Sequence, residues 1–154
     1  MSAKEYPIVK KFFRIVCLLS CALMSFGASP VHAREANKEV LCIARTISGE
    51  AKGESIQGQI LVGLVIRARA HDTSNVWPST FCGVVFQKNQ FYGVATPYQT
   101  NPQIEKIARE IANGKHSFSD AKLPDCVRYF AKGNQSFMRE VGRVGGHVFG
   151  CPDH

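Results

Sequence analysis

Seven consecutive residues, Ile60-Leu61-Val62-Gly63-Leu64-Val65-Ile66, carry no polar side chain. They lie inside a segment, Ile56 to about Ala70, that Ser55 can cap as a helix. A helix that is apolar on every side has to be buried on every side. Gly58, Gly63 and Ala68 would let its neighbours approach closely. Two further helices are expected around it. Asn37 can cap one in which Val40, Ile43, Ala44 and Ile47 recur at helical spacing, with Glu50 three residues beyond Ile47 on the same face. Asn101 as cap and Pro102 at the first position open the other; Ile104, Ile107, Ala108 and Ile111 form its stripe, and Asn113-Gly114 closes it. A shorter helical turn is expected around Thr80 to Phe86. The C-terminal part changes character: Cys126 to Ala131 is rich in Val, Tyr and Phe. Glu140 to Val144 and His147 to Phe149, separated by Gly145-Gly146, can pair as a hairpin. Helices first and strands last imply an α+β domain, mainly helical with a small C-terminal β-hairpin or sheet.

The 154 residues suffice for one compact domain and are too few for two of ordinary size. The first 33 read as an export signal. Lys4, Lys10, Lys11 and Arg14 come first, the apolar run from Ile15 to Ala28 follows, and Val31-His32-Ala33 forms a small-residue cleavage site. The mature domain would run from Arg34 to His154, without internal repeats. The apolar run falls short of the roughly 20 residues that span a bilayer, and no later segment comes close, so no stable membrane span is expected in the mature form. The expected location is exported, periplasmic or secreted. Leu18-Leu19-Ser20-Cys21 supports an alternative, a lipoprotein acylated at Cys21, but the apolar run continues past that cysteine through Leu23, Met24 and Phe26.

Four of the 19 bases and one of the 12 acids fall in the leader, leaving 15 against 11 and a net charge of +4. A modestly basic surface suits an anionic polymer, but no dense Lys/Arg run or interleaved aromatic platform supports nucleic acid. With Cys17 and Cys21 set aside, four cysteines remain: Cys42, Cys82, Cys126 and Cys151. An even number in a small exported domain reads as two disulfides with three possible pairings. Cys126 with Cys151 would tie the last strands together. No C-x-x-C pair is present, and His71, His116 and His147 fit no zinc spacing, so neither a metal nor a cofactor is expected.

The sharpest local feature is Ser48-Gly49-Glu50-Ala51-Lys52-Gly53-Glu54, a carboxylate at the end of a buried helical face between glycines. Apolar surroundings favour a carboxyl's proton-donating form, which is what a general acid needs. Small flanking residues would let a bulky polymer come close. The plainer reading is that Glu50 or Glu54 ends a helix at the surface and pairs with Lys52 or Arg45.

Three blocks of sequence carry a resemblance that decides between these readings. Ala44-Arg45-Thr46-Ile47-Ser48-Gly49-Glu50-Ala51-Lys52-Gly53-Glu54, with Gly58-Gln59-Ile60 and later Arg69, resembles the opening signature of the SleB/CwlJ-type cell wall hydrolases. Trp77 to Phe86 with Gln90-Phe91 is similar to the family's middle block, and Arg128-Tyr129-Phe130 with Arg143 to Phe149 to its closing strands. The resemblance implies a compact lysozyme-like domain and lytic transglycosylase-type cleavage of the bond from N-acetylmuramic acid to N-acetylglucosamine in peptidoglycan glycan strands. Glu50 would take the catalytic position, protonating the leaving oxygen and then, as carboxylate, deprotonating the muramic acid C6 hydroxyl that closes a 1,6-anhydro ring. Glu54, Gln59, Gln90, Phe91 and Tyr129 fall at positions that would bind substrate or support the site. A conventional glycosidase needs a second carboxylate across the scissile bond. On a continued helix, Glu54 would lie on the same side as Glu50.

The chain departs from the family at Ser48, where an aromatic residue is usual, and at Ala68, Tyr92-Gly93 and Ala131, where Asn, Ser-Trp and His are. Two alternatives stay open. One is an N-acetylmuramoyl-L-alanine amidase, which would normally use a metal or an activated nucleophile. The other is a catalytically silent peptidoglycan-binding module with the same fold.

Overall fold

A computed structural model describes residues 30–95, 97–99, 101–133 and 135–153. The chain divides into two units, Met1–Ala33 and Arg34–His154. The charged and apolar parts of the expected leader, and Cys21, lie outside the described residues. Helix α1 spans Pro30–Ala51, α2 Ile56–Ala70, α3 Phe81–Val85 and α4 Pro102–Ala112. Short 3-10 turns occupy Gly93–Ala95 and Phe118–Ala121, and the strands are β1 Tyr129–Ala131, β2 Met138–Val144 and β3 His147–Pro152. The fold is therefore α+β and mainly helical. Among the described residues no helix is long and apolar enough to cross a membrane.

The middle of helix α2, Leu61 to Ile66, is buried on all sides, as its composition requires. Leu61, Val62, Val65 and Ile66 are at most 1% exposed, and both its glycines are buried. Gly63 marks the tightest crossing: a methyl group there would run into Ile111 of α4 and crowd Ile47 and Ile43 of α1. Each large aliphatic group sealed at such a junction contributes about 1.5–3 kcal/mol. The helix ends follow local chemistry. Ser55 accepts from the Gly58 amide at 3.2 Å, Thr80 from Gly83 at 3.0 Å, and Asn101 from Gln103 and Ile104 at 3.0 and 3.1 Å. Asn37 is not a cap. Helix α1 already runs from Pro30, so Asn37 lies inside it on an exposed face.

Helix α1 is fastened to α3 twice. Cys42 and Cys82 form a disulfide, and Glu39 Oε2 accepts from the Phe81 and Cys82 amides at 2.6 and 3.2 Å at the start of α3. The three strands form an antiparallel sheet in the order β1-β3-β2. The expected hairpin is β2–β3, turned at Gly145 with φ of 59°. It extends further than expected, to Met138 and Pro152, and the Cys126–Cys151 disulfide ties the residues ahead of β1 to the end of β3. The face carrying Phe149, fully buried, closes the helical core.

The two disulfides enclose loops of different length, 40 and 25 residues in separation. Replacing Cys42 and Cys82 together by Ser should lower the unfolding free energy by about 3–4 kcal/mol in a urea titration, and the Cys126/Cys151 pair by a few tenths less.

Candidate active site

A cleft of about 790 Å³ opens where the end of α1, the segment after α3 and the strand β1 converge. It is about twice the volume of the concavity lined by Pro102, Glu105 and Arg109, about 410 Å³. Glu50 lines it from the last turn of α1 and is half-buried. Its Oε1 accepts a hydrogen bond of 2.7 Å from the Gly93 amide. That amide can come so near because Gly49 and Gly93 touch backbone to backbone: a Cβ on Gly49 would sit 2.5 Å from the carbonyl carbon of Gly93. Arg45 secures the same turn, donating from Nε to the Val94 carbonyl at 2.7 Å. Gly49 thus serves packing against the Gly93 turn.

Glu54 does not line the cleft with Glu50. Helix α1 stops at Ala51, and a turn closed by the Glu54 amide on the Ala51 carbonyl, 3.0 Å, redirects the chain. The Glu54 carboxylate instead grips the hairpin tip: Oε2 accepts from the Gly146 amide at 3.0 Å. A side chain at Gly145 would collide with that carboxylate. Gln59 is also brought elsewhere. It is buried, and its Nε2 donates to the Glu54 carbonyl at 3.1 Å, so it braces the turn from behind. Gln59 is therefore placed as a brace for that turn and is not among the residues that line the cleft.

Gln90, Phe91 and Tyr129 do line the cleft. Asn89, in left-handed backbone at φ 64°, shapes the turn that presents Gln90. What unites these residues is Arg69, which the sequence marked only as part of a signature. Arg69 is 5% exposed, on α2. Its Nη1 donates to Gln90 Oε1 at 3.1 Å and its Nε to the Arg128 carbonyl at 2.7 Å. Its guanidinium lies 4.3 Å from the Trp77 ring, 5.3 Å from Phe91 and 5.5 Å from Tyr129. Burial pulls its pKa down to about 10; the nearby Tyr129 opposes that shift and Arg128 adds to it, and the group stays charged at neutral pH. Arg128 is latched in turn, by Nε to Asp72 Oδ2 at 2.8 Å. Hydrogen bonds from Ser74 and then from Arg128 hold the Asp72 carboxyl down at about 2.

Tyr129 stands edge-on between Trp77, at 5.9 Å, and the exposed Phe137, at 5.7 Å. Aromatic rings beside an amide and a carboxyl suit the faces and hydroxyls of sugars. Trp77 and Phe137 were not among the expected site residues. Trp77 is the sole tryptophan and lies in the turn-rich interval between His71 and Thr80, a place where a large ring has no reason to be unless something packs on it. His147, at the start of β3, lines the cleft as well. No group of three or more His, Cys, Asp or Glu that could hold a metal occurs among the described residues.

Residues 53–150 match the family described as cell wall hydrolase. The chain belongs to the cell wall hydrolase family. The spore cortex-lytic enzyme of Bacillus subtilis strain 168 is 33% identical over 121 residues, covering 73% of this chain and 37% of that protein. The chain thus spans little more than a third of that curated relative. The catalytic domain of the Bacillus cereus SleB protein and that of the germination-specific lytic transglycosylase SleB from Bacillus anthracis share the fold. Each superposes with a TM-score of 0.60 at 23% identity, over 73% of this chain and 88% and 93% of theirs.

Arg69→Lys should cost about 2–4 kcal/mol, because an ammonium cannot keep the fork to Gln90 and Arg128 and lie over three rings at once. Trp77 emission reports it directly: the variant's spectrum should shift toward longer wavelength in the native state. Gly49→Ala should cut turnover by at least about tenfold while leaving the helical circular dichroism intact, since the clash displaces the turn carrying the Gly93 amide.

Proposed function

We propose that this cell wall hydrolase cleaves peptidoglycan glycan strands between N-acetylmuramic acid and N-acetylglucosamine, in the lytic transglycosylase mode, with Glu50 as acid and then base. The observation that carries the reading is that Glu50 is the one carboxylate among the cleft's described lining residues. An inverting or retaining glycosidase needs a second, facing it across the scissile bond. Glu54 is committed to the Gly146 amide. A single carboxyl still suffices when the nucleophile is the substrate's own C6 hydroxyl. Glu50 protonates the glycosidic oxygen, the bond from C1 to the leaving sugar breaks, and the carboxylate takes the proton of the C6 hydroxyl as that oxygen bonds to C1. Atoms balance without water and without metal or cofactor. The Gly93 amide occupies Oε1 and fixes the carboxyl's plane, so the group meets the bond without reorganising.

The family match begins at Gly53, three residues past Glu50, so the assignment of that residue rests on the cleft and on the motif around it. Gln90, Phe91 and Tyr129, with Trp77 and Phe137, would hold the sugars. Arg69 would hold those groups in place. We place the protein outside the cytoplasm, exported by residues 1–33 to the periplasm or the medium: two disulfides within a domain this small suit an oxidising compartment.

Purified Arg34–His154 and its Glu50→Gln variant, incubated with isolated sacculi, provide the test by mass spectrometry of the soluble products. Anhydro-muropeptides are expected from the parent, with a drop of about 10²–10⁴-fold in the variant. The amide of Gln still accepts from Gly93, so its thermal unfolding should match the parent's. Reducing ends would turn the reading to hydrolysis; freed stem peptides would replace it by an amidase; sacculus binding without products would replace it by a silent binding module.

A further inference from the structure

His147 lines the same cleft, and the chemistry just described gives it no task. Its ring is 2% exposed, edge-on to Phe130 at 5.2 Å and tilted against Phe149 at 6.3 Å. Nδ1 is sealed from solvent and makes no hydrogen bond among the described residues. It lies 3.8 Å from Glu54 Oε1, too far for a hydrogen bond and close enough for a charge to act. Leaving a ring nitrogen unpartnered in so dry a place costs stability that an apolar residue would not. The charged groups acting on it come from three elements: Glu54 from the turn after α1, Lys132 from the end of β1 and Glu50 from α1. The rings facing it from β1 and β3 are neutral.

We propose that His147 is a positioning residue that must be neutral for Glu50 to act as an acid, and that its protonation sets the acid limit of the reaction. This rests on the reading of Glu50 given above. A cation formed on His147 would have two effects. It would draw the Glu54 carboxylate toward Nδ1 and loosen the grip on Gly146, the residue next to His147, so the hairpin tip would shift. It would also place a positive charge in the cleft that Glu50 lines. Cleavage by one carboxyl has only an alkaline limit of its own, where the acid has lost its proton. A requirement for neutral imidazole adds an acid limit, and the profile becomes a bell. Burial, the largest influence, keeps His147 below the ordinary value of 6.5, against the pull of Glu54 and Glu50 and with the help of Lys132. The acid limb therefore falls on the acid side of 6.5. Stability follows the same sign: a lowered histidine is fully compatible with the fold above 6.5 and opposes it as pH falls through the native value.

The test compares kcat/KM on sacculi from about pH 4.5 to about pH 8 for the parent, His147→Gln and Glu54→Gln, scored as the shape within each protein. The parent should fall about tenfold per pH unit below its limb. His147→Gln should lack that limb, and Glu54→Gln should move it to lower pH, because a carboxylate favouring the imidazolium is gone. In parallel, histidine NMR follows His147 in the parent and in Glu50→Gln without any turnover; its midpoint should drop in the variant. If His147→Gln fails to fold, Glu54→Gln and the NMR titration decide. An unchanged acid limb in His147→Gln, or a midpoint indifferent to Glu50, overturns the proposal with the Glu50 assignment intact. A parent that cuts no glycan at any pH refutes the Glu50 reading itself, and with it this one.

Discussion

Gly49 and Gly93 meet with no side chain between them, and a Cβ on Gly49 would stand 2.5 to 2.7 Å from three main-chain atoms of Gly93. Van der Waals contact at that closeness is open only to glycine. It brings a main-chain amide to the carboxyl of the residue after Gly49, and it makes the location of Glu50 a property of two backbones instead of one flexible side chain. The elements on either side are themselves held. Helix α1 packs into α2 at Gly63 through Ile43 and Ile47, and is fastened to α3 by Cys42–Cys82 and by Glu39. The segment that follows α3 is the one that delivers Gln90 and Phe91 to the cleft and the Gly93 amide to Glu50. A disulfide and a helix cap some distance from the carboxyl thus bear on its geometry.

The other organiser is a buried charge. Moving a guanidinium out of water is costly unless its donors and faces are occupied. Arg69 meets that condition with a backbone carbonyl, an amide oxygen and three aromatic rings. The same contacts that make the charge tolerable fix Trp77, Phe91, Tyr129 and Gln90 relative to one another. Sugar recognition depends on rings whose planes do not have to be ordered on binding, since each side chain immobilised by a ligand costs affinity. The buried arginine orders them beforehand, and Asp72 extends the support by holding Arg128, whose carbonyl Arg69 uses.

Local rules made much of this readable from residues alone. Ser55, Thr80 and Asn101 cap where side-chain chemistry says they should, and the run from Leu61 to Ile66 is buried because no face of it could be left in water. The start of α1 is not legible at Asn37, which satisfies a capping rule without needing to act on it because the chain upstream is already helical. The place of Gln59 in a motif does not reveal which side of a helix the cleft lies on. Arg69 and Trp77 are illegible in the sequence for a different reason. Their meaning lies in contacts across long stretches of chain, and periodicity carries no information about those. The pairing of Tyr129 with Phe137, and the backbone contact of Gly49 with Gly93, belong to the same class.

Glu50 and Glu54 show how one short segment can divide two jobs between identical side chains. Were α1 to continue past Ala51, residues four apart would share a face, and two carboxylates side by side would repel each other in a partly dry cleft. The helix ends instead, and the turn that brings Glu54 back onto the Ala51 carbonyl aims its side chain at the hairpin tip. Gly145 and Gly146 leave the space for it, and their turn gives it a main-chain amide. The hairpin that carries His147 and Phe149 is thereby anchored a few residues from the end of the helix that carries Glu50, so the sheet and the helical core meet beside the cleft through a carboxylate that does not line it. That a single acid stands among the cleft's described lining residues is then a consequence of where the helix stops.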